Sequence, residues 1–332
     1  MTEFFLPRRR ALIAGGAGLL AAPAIVRGAF GQGAYPSKPV RLIVAFAPGG
    51  TTDLLARLVA NHLQATMGQQ FVVENRTGAG GNIGADIVAK AAPDGYTLLF
   101  GTVGSAVTNQ FLYKSMPHDS KTAFAPVALV GEVANVLAVH PDVPARSVKE
   151  FIELAKAKGG QLNYGSPAVG GTGHLAMELF KVETGIKVEH IVYKGSSLVI
   201  QDLLPGRVQC TIDNLPPYLP HIRSGALRAL AVTSSKRWFS LPDTPTIAES
   251  GVPGYEAAPW WYVAAPAGTP ADIVKKLSDE IVRGVKSADM DKRIRDAGAA
   301  PLPGTHEELA RHIASETVKW KKVVDAAGLK PE

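Results

Sequence analysis

The sequence is poor in the residues that most often carry covalent, redox or metal chemistry. Its 332 residues include one cysteine, Cys210, which lies in a strand-like run with no nearby histidine or lysine to activate the thiol. Its eight histidines are scattered without H-E-x-x-H spacing, and no carboxylate cluster is spaced to hold a metal. We therefore expect Cys210 in the core and no metal site.

Two nucleotide-binding signatures are also missing. The chain has no G-x-x-x-x-G-K-[ST] sequence, which argues against a P-loop. Gly78–Gly84 follows a strand-like run and opens a helix, but it reads G-x-G-x-x-x-G rather than G-x-G-x-x-G. No acidic residue ends a strand about 20 residues later, as a dinucleotide fold requires. The sequence therefore predicts no cofactor.

Basic charge is modest and dispersed. The formal net charge is +6, and four arginines before residue 35 contribute to it. The other lysines and arginines form no stripe interleaved with aromatic residues, so nucleic acid is not a predicted partner. Hydrophobic residues make up 46% of the chain, which argues against global disorder.

The N-terminus has the pattern of a secretory signal peptide. Arg8–Arg10 precede a short apolar run, Ala11–Ile25, and small residues follow. The segment Arg8–Leu12 resembles a twin-arginine signal, so the Tat and Sec routes both stay open. We expect residues 1–34 to direct export.

Strand-like and helix-like segments alternate from Val40 to about Val232. This rhythm predicts an α/β fold with mainly parallel sheets and helices on both faces. Two segments are typical of a chain crossing between domains: the long apolar run Phe124–His140 and the Pro/Gly-rich Ser250–Glu256. We predict a discontinuous domain one over residues 35–137 and 256–332, and an inserted domain two over residues 138–255.

Glycine is abundant, with 34 residues, and four glycine-rich segments each join a predicted strand to a predicted helix. A helix N-terminus carries unpaired N–H groups and the positive end of the helix dipole. Ligands of open α/β sheets bind beyond the carboxyl ends of the strands. The pattern therefore indicates a cleft that holds an anion with backbone donors. The four segments are Phe46–Asp53, Asn75–Asn82, Gly101–Ser105 and Gly165–Gly173.

The first of these loops, Pro48–Asp53, has a second interpretation. It could be an ordinary tight turn in which Thr51 or Thr52 caps the following helix and the aspartate complements the dipole. Alanine at Gly49 or Gly50 separates the two interpretations, because a turn would lose stability whereas a ligand site would lose affinity.

Two further strand ends carry candidate side chains. Asp213 could accept hydrogen bonds from a ligand amine or hydroxyl, or it could cap the predicted helix Tyr218–Arg223. Tyr193 and Lys194 end another strand-like run, where Lys194 could reach an anion or stay solvated.

A hydrolase triad of Ser166, His174 and Asp213 is conceivable. However, Ser166 precedes Pro167 and lacks the G-x-S-x-G elbow, and His174 falls in the first turn of a predicted helix, where packing is a common role. A cleft hydrolase is kept as the alternative function. A ligand sensor that feeds a signalling partner would use the same cleft.

Ordered motifs then point to a family. They are Tyr35–Val44, Phe46–Arg57, Val73–Gly84, Ala92–Leu99, Tyr164–Ser166, His174–Ala176, Tyr193–Ser196 and Gly225–Val232. Together they cover nearly the whole chain beyond residue 34. The set resembles the substrate-binding proteins of tripartite tricarboxylate transporters, also called the Bug family.

The resemblance implies a periplasmic, two-domain type II binding protein (a Venus flytrap) that closes over a small mono- or dicarboxylate and does no chemistry on it. The implied partners are the membrane components of such a transporter, and we expect a monomer. The predicted ligand-binding residues are Phe46, Pro48, Gly49, Gly50, Thr51, Thr52, Asp53, Gly80, Gly81, Asn82, Thr102, Ser105, Ser166, Val169, Gly170, Gly171, Thr172, Tyr193, Lys194 and Asp213.

Overall fold

The strands form two sheets. The computed structural model describes residues 35–329 and Pro331, so the predicted signal peptide lies outside the described residues. The strands are β1 Val40–Val44, β2 Phe71–Asn75, β3 Thr97–Thr102, β4 Phe124–Glu132, β5 Asn135–Val139, β6 Asn163–Ser166, β7 Glu189–Val192, β8 Cys210–Asn214, β9 Arg228–Val232, β10 Trp260–Pro266 and β11 Ala300–Gly304.

The helices cover the sheets. They are α1 Thr51–Met67, α2 Asn82–Ala89, α3 Asn109–Leu112, α4 Val148–Lys158, α5 Thr172–Thr184, α6 Ser196–Leu203, α7 Leu215–Arg223, α8 Ala271–Val285, α9 Ala288–Asp296 and α10 His306–Ala327. A 3-10 turn, Ala79–Gly81, precedes α2, and a π-helical turn, Gly104–Thr108, precedes α3.

The predicted α/β class is confirmed, but the sheets are mixed rather than mainly parallel. The strand orders are β11-β4-β10-β3-β1-β2 and β7-β6-β8-β5-β9. Among the described strands, four pairings are parallel and five are antiparallel. The reason is that β5 and β10 enter their sheets from the other sheet, without the βαβ crossover that makes neighbours parallel.

Two crossings join the sheets. The predicted apolar run Phe124–His140 divides into β4 in the six-stranded sheet and β5 in the five-stranded sheet. The return crossing runs beside it, because Val133 N–H donates to Pro259 O at 2.9 Å and Asn135 Nδ2 donates to Ala257 O at 3.2 Å. Tyr35–Glu332 forms one compact unit, so the proposed domain boundaries stay a prediction.

Among the described helices, a side-chain N-cap is present at α4, α9 and α10. Gly50, in an extended conformation, is the N-cap of α1, so neither Thr51 nor Thr52 caps this helix, contrary to the alternative interpretation of the loop. The Thr305–Glu308 capping box of α10 is present. Cys210 lies in the core, as predicted. Within residues 35–329, no helix is long and apolar enough to cross a bilayer.

Candidate functional site

A cleft of about 460 Å³ lies where strands of both sheets end. Loops that follow β1, β2, β3, β6, β7 and β8 contribute to its wall, as does the start of β10. It is lined by Phe46, Thr52, Gly80, Thr102, Val103, Gly104, Thr108, Asn109, Leu112, Tyr113, Pro167, Ala168, Val169, Gly170, Gly171, Thr172, Ser196, Asp213, Asn214, Pro259, Trp260 and Trp261.

Helix N-termini supply the positive potential of this cleft. Thr52 of α1, Thr172 of α5 and Ser196 of α6 all lie in the first turn of their helices and line the wall. The first N–H groups of each helix have no intrahelical acceptor, and each dipole places about half a positive charge at that end. Among the described residues that line the cleft, none is a lysine, arginine or histidine, and Asp213 is the one carboxyl group.

The first loop uses its polar groups to hold itself together. Asp53 is 2% exposed and accepts hydrogen bonds from Gly49 N–H at 3.0 Å, Arg57 Nε at 2.9 Å and Asn75 Nδ2 at 2.9 Å. Burial acts to raise the pKa of Asp53, but hydrogen bonds from Arg57, Gly49 and Asn75 outweigh it and lower the pKa to about 2. The carboxylate is therefore charged and directed at its own loop.

Only part of the first loop reaches the cleft. Phe46 and Thr52 line it, whereas Thr51 lines an adjoining cavity of about 230 Å³. Pro48–Gly50 is exposed and lies outside the lining, and Asp53 lies behind it.

The second glycine-rich loop has an unusual backbone. All four residues of Gly78–Gly81 have positive φ, including Ala79 at 47°. Gly80 lines the cleft, and a β-carbon there would lie 2.5 Å from Tyr113 Oη. Asn109 Nδ2 donates to Gly80 O at 3.0 Å and to Asn82 Oδ1 at 2.7 Å. The predicted residues Gly81 and Asn82 therefore support the wall from behind.

The third loop divides in the same way. Thr102 lines the cleft, but Ser105 is 1% exposed and lies behind it. Ser105 Oγ accepts from Thr102 N–H at 3.2 Å and lies 3.2 Å from Tyr262 Oη. Ser105 therefore fixes the turn after β3 rather than facing the cleft.

The loop after β6 faces the cleft directly. Val169–Thr172 all line the wall. Ser166 is fully buried outside the lining, with its Oγ 2.6 Å from His190 Nε2. His174 Nδ1 instead accepts the Gly170 N–H at 2.8 Å. The conceivable triad is thus not assembled, because Ser166 pairs with a different histidine and His174 has a backbone partner.

Asp213 is buried at the cleft wall. Its Oδ1 accepts from Asn214 N–H at 2.7 Å, and its Oδ2 accepts from the Tyr218 hydroxyl at 2.9 Å. Burial raises the pKa of Asp213, and hydrogen bonds from Ser196, Asn214 and Tyr218 oppose that rise. Helix α7 begins at Leu215 with Asn214 as its N-cap, so Asp213 is not its N-cap residue.

The remaining two predicted residues lie elsewhere. Lys194 is exposed, and the Tyr193 hydroxyl donates to Asp202 Oδ2 at 2.9 Å. Neither residue lines the cleft in this structure.

Sequence reasoning missed the aromatic part of the wall. Trp260 and Trp261 are not among the predicted ligand-binding residues, yet both line the cleft, and Trp261 Nε1 donates to Thr52 Oγ1 at 2.9 Å. A tryptophan pair at a strand start, beside a predicted crossing, was the available signal. Four further lining residues fall inside the glycine-rich segments that the sequence indicated: Val103, Gly104, Pro167 and Ala168. The missed residues are Thr108, Asn109, Leu112, Tyr113, Ser196, Asn214, Pro259, Trp260 and Trp261.

Two mixed sheets joined by two crossings, with a cleft at the strand ends, define the fold of the periplasmic solute-binding proteins. A family model described as the tripartite tricarboxylate transporter family receptor matches residues 55–329. The chain belongs to this family, as the sequence motifs indicated.

Individual relatives cover most of the chain. Protein BugT of Bordetella pertussis is 41% identical over 297 residues, which span 89% of this chain and 91% of BugT. The solved structure of R. palustris Rpa4515 with adipate is 45% identical, with a TM-score of 0.77, and covers 90% of this chain and 100% of that one. The solved structure of MatC from Rhodopseudomonas palustris with bound malate is 31% identical, with a TM-score of 0.72. The match covers 87% of this chain and 100% of MatC.

Proposed function

We propose that this protein captures a small organic carboxylate in the cleft and presents it to the membrane components of a tripartite tricarboxylate-type transporter. The observation that carries the proposal is the convergence of the α1, α5 and α6 N-termini on a wall without basic side chains. Such a wall suits an anion that is held by backbone donors and helix dipoles.

The energies are sufficient for useful affinity. A carboxylate at a helix N-terminus gains about 0.3–1 kcal/mol, and up to about 2 kcal/mol where it is partly buried. Each charge-assisted hydrogen bond adds about 1.5–3 kcal/mol. A few of these together reach the roughly 8 kcal/mol of a micromolar complex after the ordering costs of association.

The ligand class follows from the wall and from the relatives. Trp260, Leu112 and Val169 give the cleft apolar surface between its polar helix ends, which suits a short carbon chain with one or two carboxylates. Relatives with bound adipate and malate support this class. The contacting residues that we propose are the predicted ones in the lining: Phe46, Thr52, Gly80, Thr102, Val169, Gly170, Gly171, Thr172 and Asp213.

The same proposal covers location and motion. We place the mature protein in the periplasm after removal of residues 1–34, acting as a monomer that binds without catalysis. Residues 35–137 with 256–332 and residues 138–255 act as two lobes that close over the ligand, with the two crossings as the hinge.

A thermal-shift screen over short mono-, di- and tricarboxylates tests the function. At least one acid, with adipate and malate as the first probes, should raise the melting temperature with concentration. The ligand should be recovered chemically unchanged after hours of incubation, as judged by proton NMR. Chemical conversion of any acid would contradict binding without catalysis, and no shift with any acid would contradict carboxylate capture.

A further inference from the structure

Three aromatic rings stack beneath the cleft loop that follows β6. The ring centroids of Tyr164 and His190 are 4.7 Å apart, and those of His190 and His174 are 4.1 Å apart, with interplanar angles of 11° and 13°. They come from β6, β7 and α5 respectively. We call these three residues the aromatic stack. None of them lines the cleft, but the segment Pro167–Gly171 immediately above does.

The two histidines of the aromatic stack hold this segment at both ends. At the far end, His174 Nδ1 accepts the Gly170 N–H at 2.8 Å. At the near end, His190 Nε2 lies 2.6 Å from Ser166 Oγ, which is itself 3.1 Å from Ala168 O. His174 is the third residue of α5, so its bond back to the residue before the N-cap resembles half of a capping box.

The bond from Gly170 requires a neutral His174, because a protonated imidazole has no acceptor nitrogen. Burial lowers the pKa of His174 to about 4, with a smaller contribution from Lys181. Burial and the charge of His174 likewise lower the pKa of His190 to about 4. The ionisable neighbours are Glu178, 3.8 Å from His174 Nε2, and Lys181 on α5, with Tyr164 on β6.

We propose that His174 and His190 are positioning residues that hold Pro167–Gly171 in its ligand-binding conformation. His174 acts as a neutral acceptor for the Gly170 N–H, and His190 acts as a donor to Ser166 Oγ, which itself donates to Ala168 O. This inference rests on the proposed function of the cleft. It assigns the two histidines a role in binding that involves no contact with the ligand. Losing the His174 acceptor would leave the Gly170 N–H without its partner and free the segment to leave the wall.

Two substitutions at one position isolate the acceptor from the ring. His174→Phe keeps an aromatic ring for the stack but has no acceptor, whereas His174→Asn loses the ring and can place Oδ1 near the position of Nδ1. With adipate or malate as the probe, whichever the wild type binds, calorimetry at pH 7 should show at least a fivefold weaker affinity for His174→Phe. His174→Asn should stay within about twofold of the wild type.

Hydrogen–deuterium exchange of the peptide covering residues 166–172 tests the same idea without a ligand. Exchange should be faster in His174→Phe and close to the wild type in His174→Asn. As pH falls towards about 4, the wild type should lose protection relative to His174→Asn measured at the same pH. If neither probe binds the wild type, the proposed function loses support, but exchange still tests the positioning role. Unchanged exchange in His174→Phe would overturn the inference, as would equal losses in the two variants.

Discussion

The loop after β1 and the loop after β6 carry the same sequence signature but use it differently. Both are glycine-rich and end at a helix N-terminus with a glycine N-cap. In the first, the Gly49 N–H donates to Asp53 of its own loop and the glycines are exposed. In the second, Val169–Thr172 form the cleft wall, and a histidine behind the wall holds the Gly170 N–H. A glycine-rich strand-to-helix loop therefore indicates a candidate anion site, but only tertiary partners decide which surface it presents.

The largest expected effect concerns the buried carboxylate of the first loop. Asp53→Ala should lower the free energy of unfolding by about 3 kcal/mol at pH 7, because Arg57, Asn75 and Gly49 lose their shared acceptor. Urea denaturation measures this change. The exposed Asp325, which pairs with Lys321 at the same i,i+4 spacing, is the matched control, and Asp325→Ala should change stability by less than about 0.5 kcal/mol.

The Asp53 contribution also has a defined pH window. The pKa of Asp53 is about 2 in the folded protein, below its ordinary value. The stabilisation is therefore complete above about pH 4 and is lost as pH falls towards 2. The difference in stability between wild type and Asp53→Ala should shrink across that range. A difference that stays constant down to pH 2 would show that the charge of Asp53 does not matter.

A glycine pair separates stability from binding. Gly170 and Gly49 both have positive φ, 68° and 84°, so alanine at either position carries backbone strain of about 1–2 kcal/mol. Only at Gly170 does a new β-carbon meet a cleft residue, 2.5 Å from Leu112 Cδ1, whereas at Gly49 nothing lies within 4 Å. Gly170→Ala should weaken carboxylate affinity at least tenfold, about 1.4 kcal/mol, by calorimetry. Gly49→Ala should have a melting temperature similar to that of Gly170→Ala, but it should bind the carboxylate with wild-type affinity.

The smallest expected effect is at Gly50. Its φ is −77°, and an added β-carbon would lie 3.9 Å from Ala47 O, so Gly50→Ala should leave affinity unchanged and lower stability by less than about 1 kcal/mol, because alanine is the poorer N-cap residue. This variant completes the series across the two loops. A marked loss of affinity at Gly50 or Gly49 would place the ligand against the exposed glycines of the first loop and remove the contrast between the loops.

Local signals accounted for most of the elements. The alternation of strand-like and helix-like segments from Val40 to about Val232 is encoded a few residues at a time, and the strands and helices from β1 to β9 follow it. The directions of β5 and β10 depend on which sheet the chain leaves and which it joins, and no short segment encodes that. For this reason the prediction of mainly parallel sheets was wrong although the class was right.

The sequence indicated those cleft residues that lie in glycine-rich segments, but it did not indicate those whose position depends on long-range contacts. Gly80 and Val169–Thr172 were predicted and do line the cleft. The buried position of Asp53 depends in part on a hydrogen bond from Asn75, which is 22 residues away in sequence. Trp261 donates a hydrogen bond to Thr52, from which it is separated by 209 residues. Such partners come together only through the packing of whole sheets.

Calorimetry of one ligand in two charge states tests whether backbone donors in the cleft hold a carboxylate. For this, the acid that gives the largest thermal shift is compared with its methyl ester, for example adipate with dimethyl adipate. We expect measurable binding of the acid and none of the ester, because the ester lacks the negative charge that the helix N-termini stabilise. Equal affinity for acid and ester would contradict this expectation.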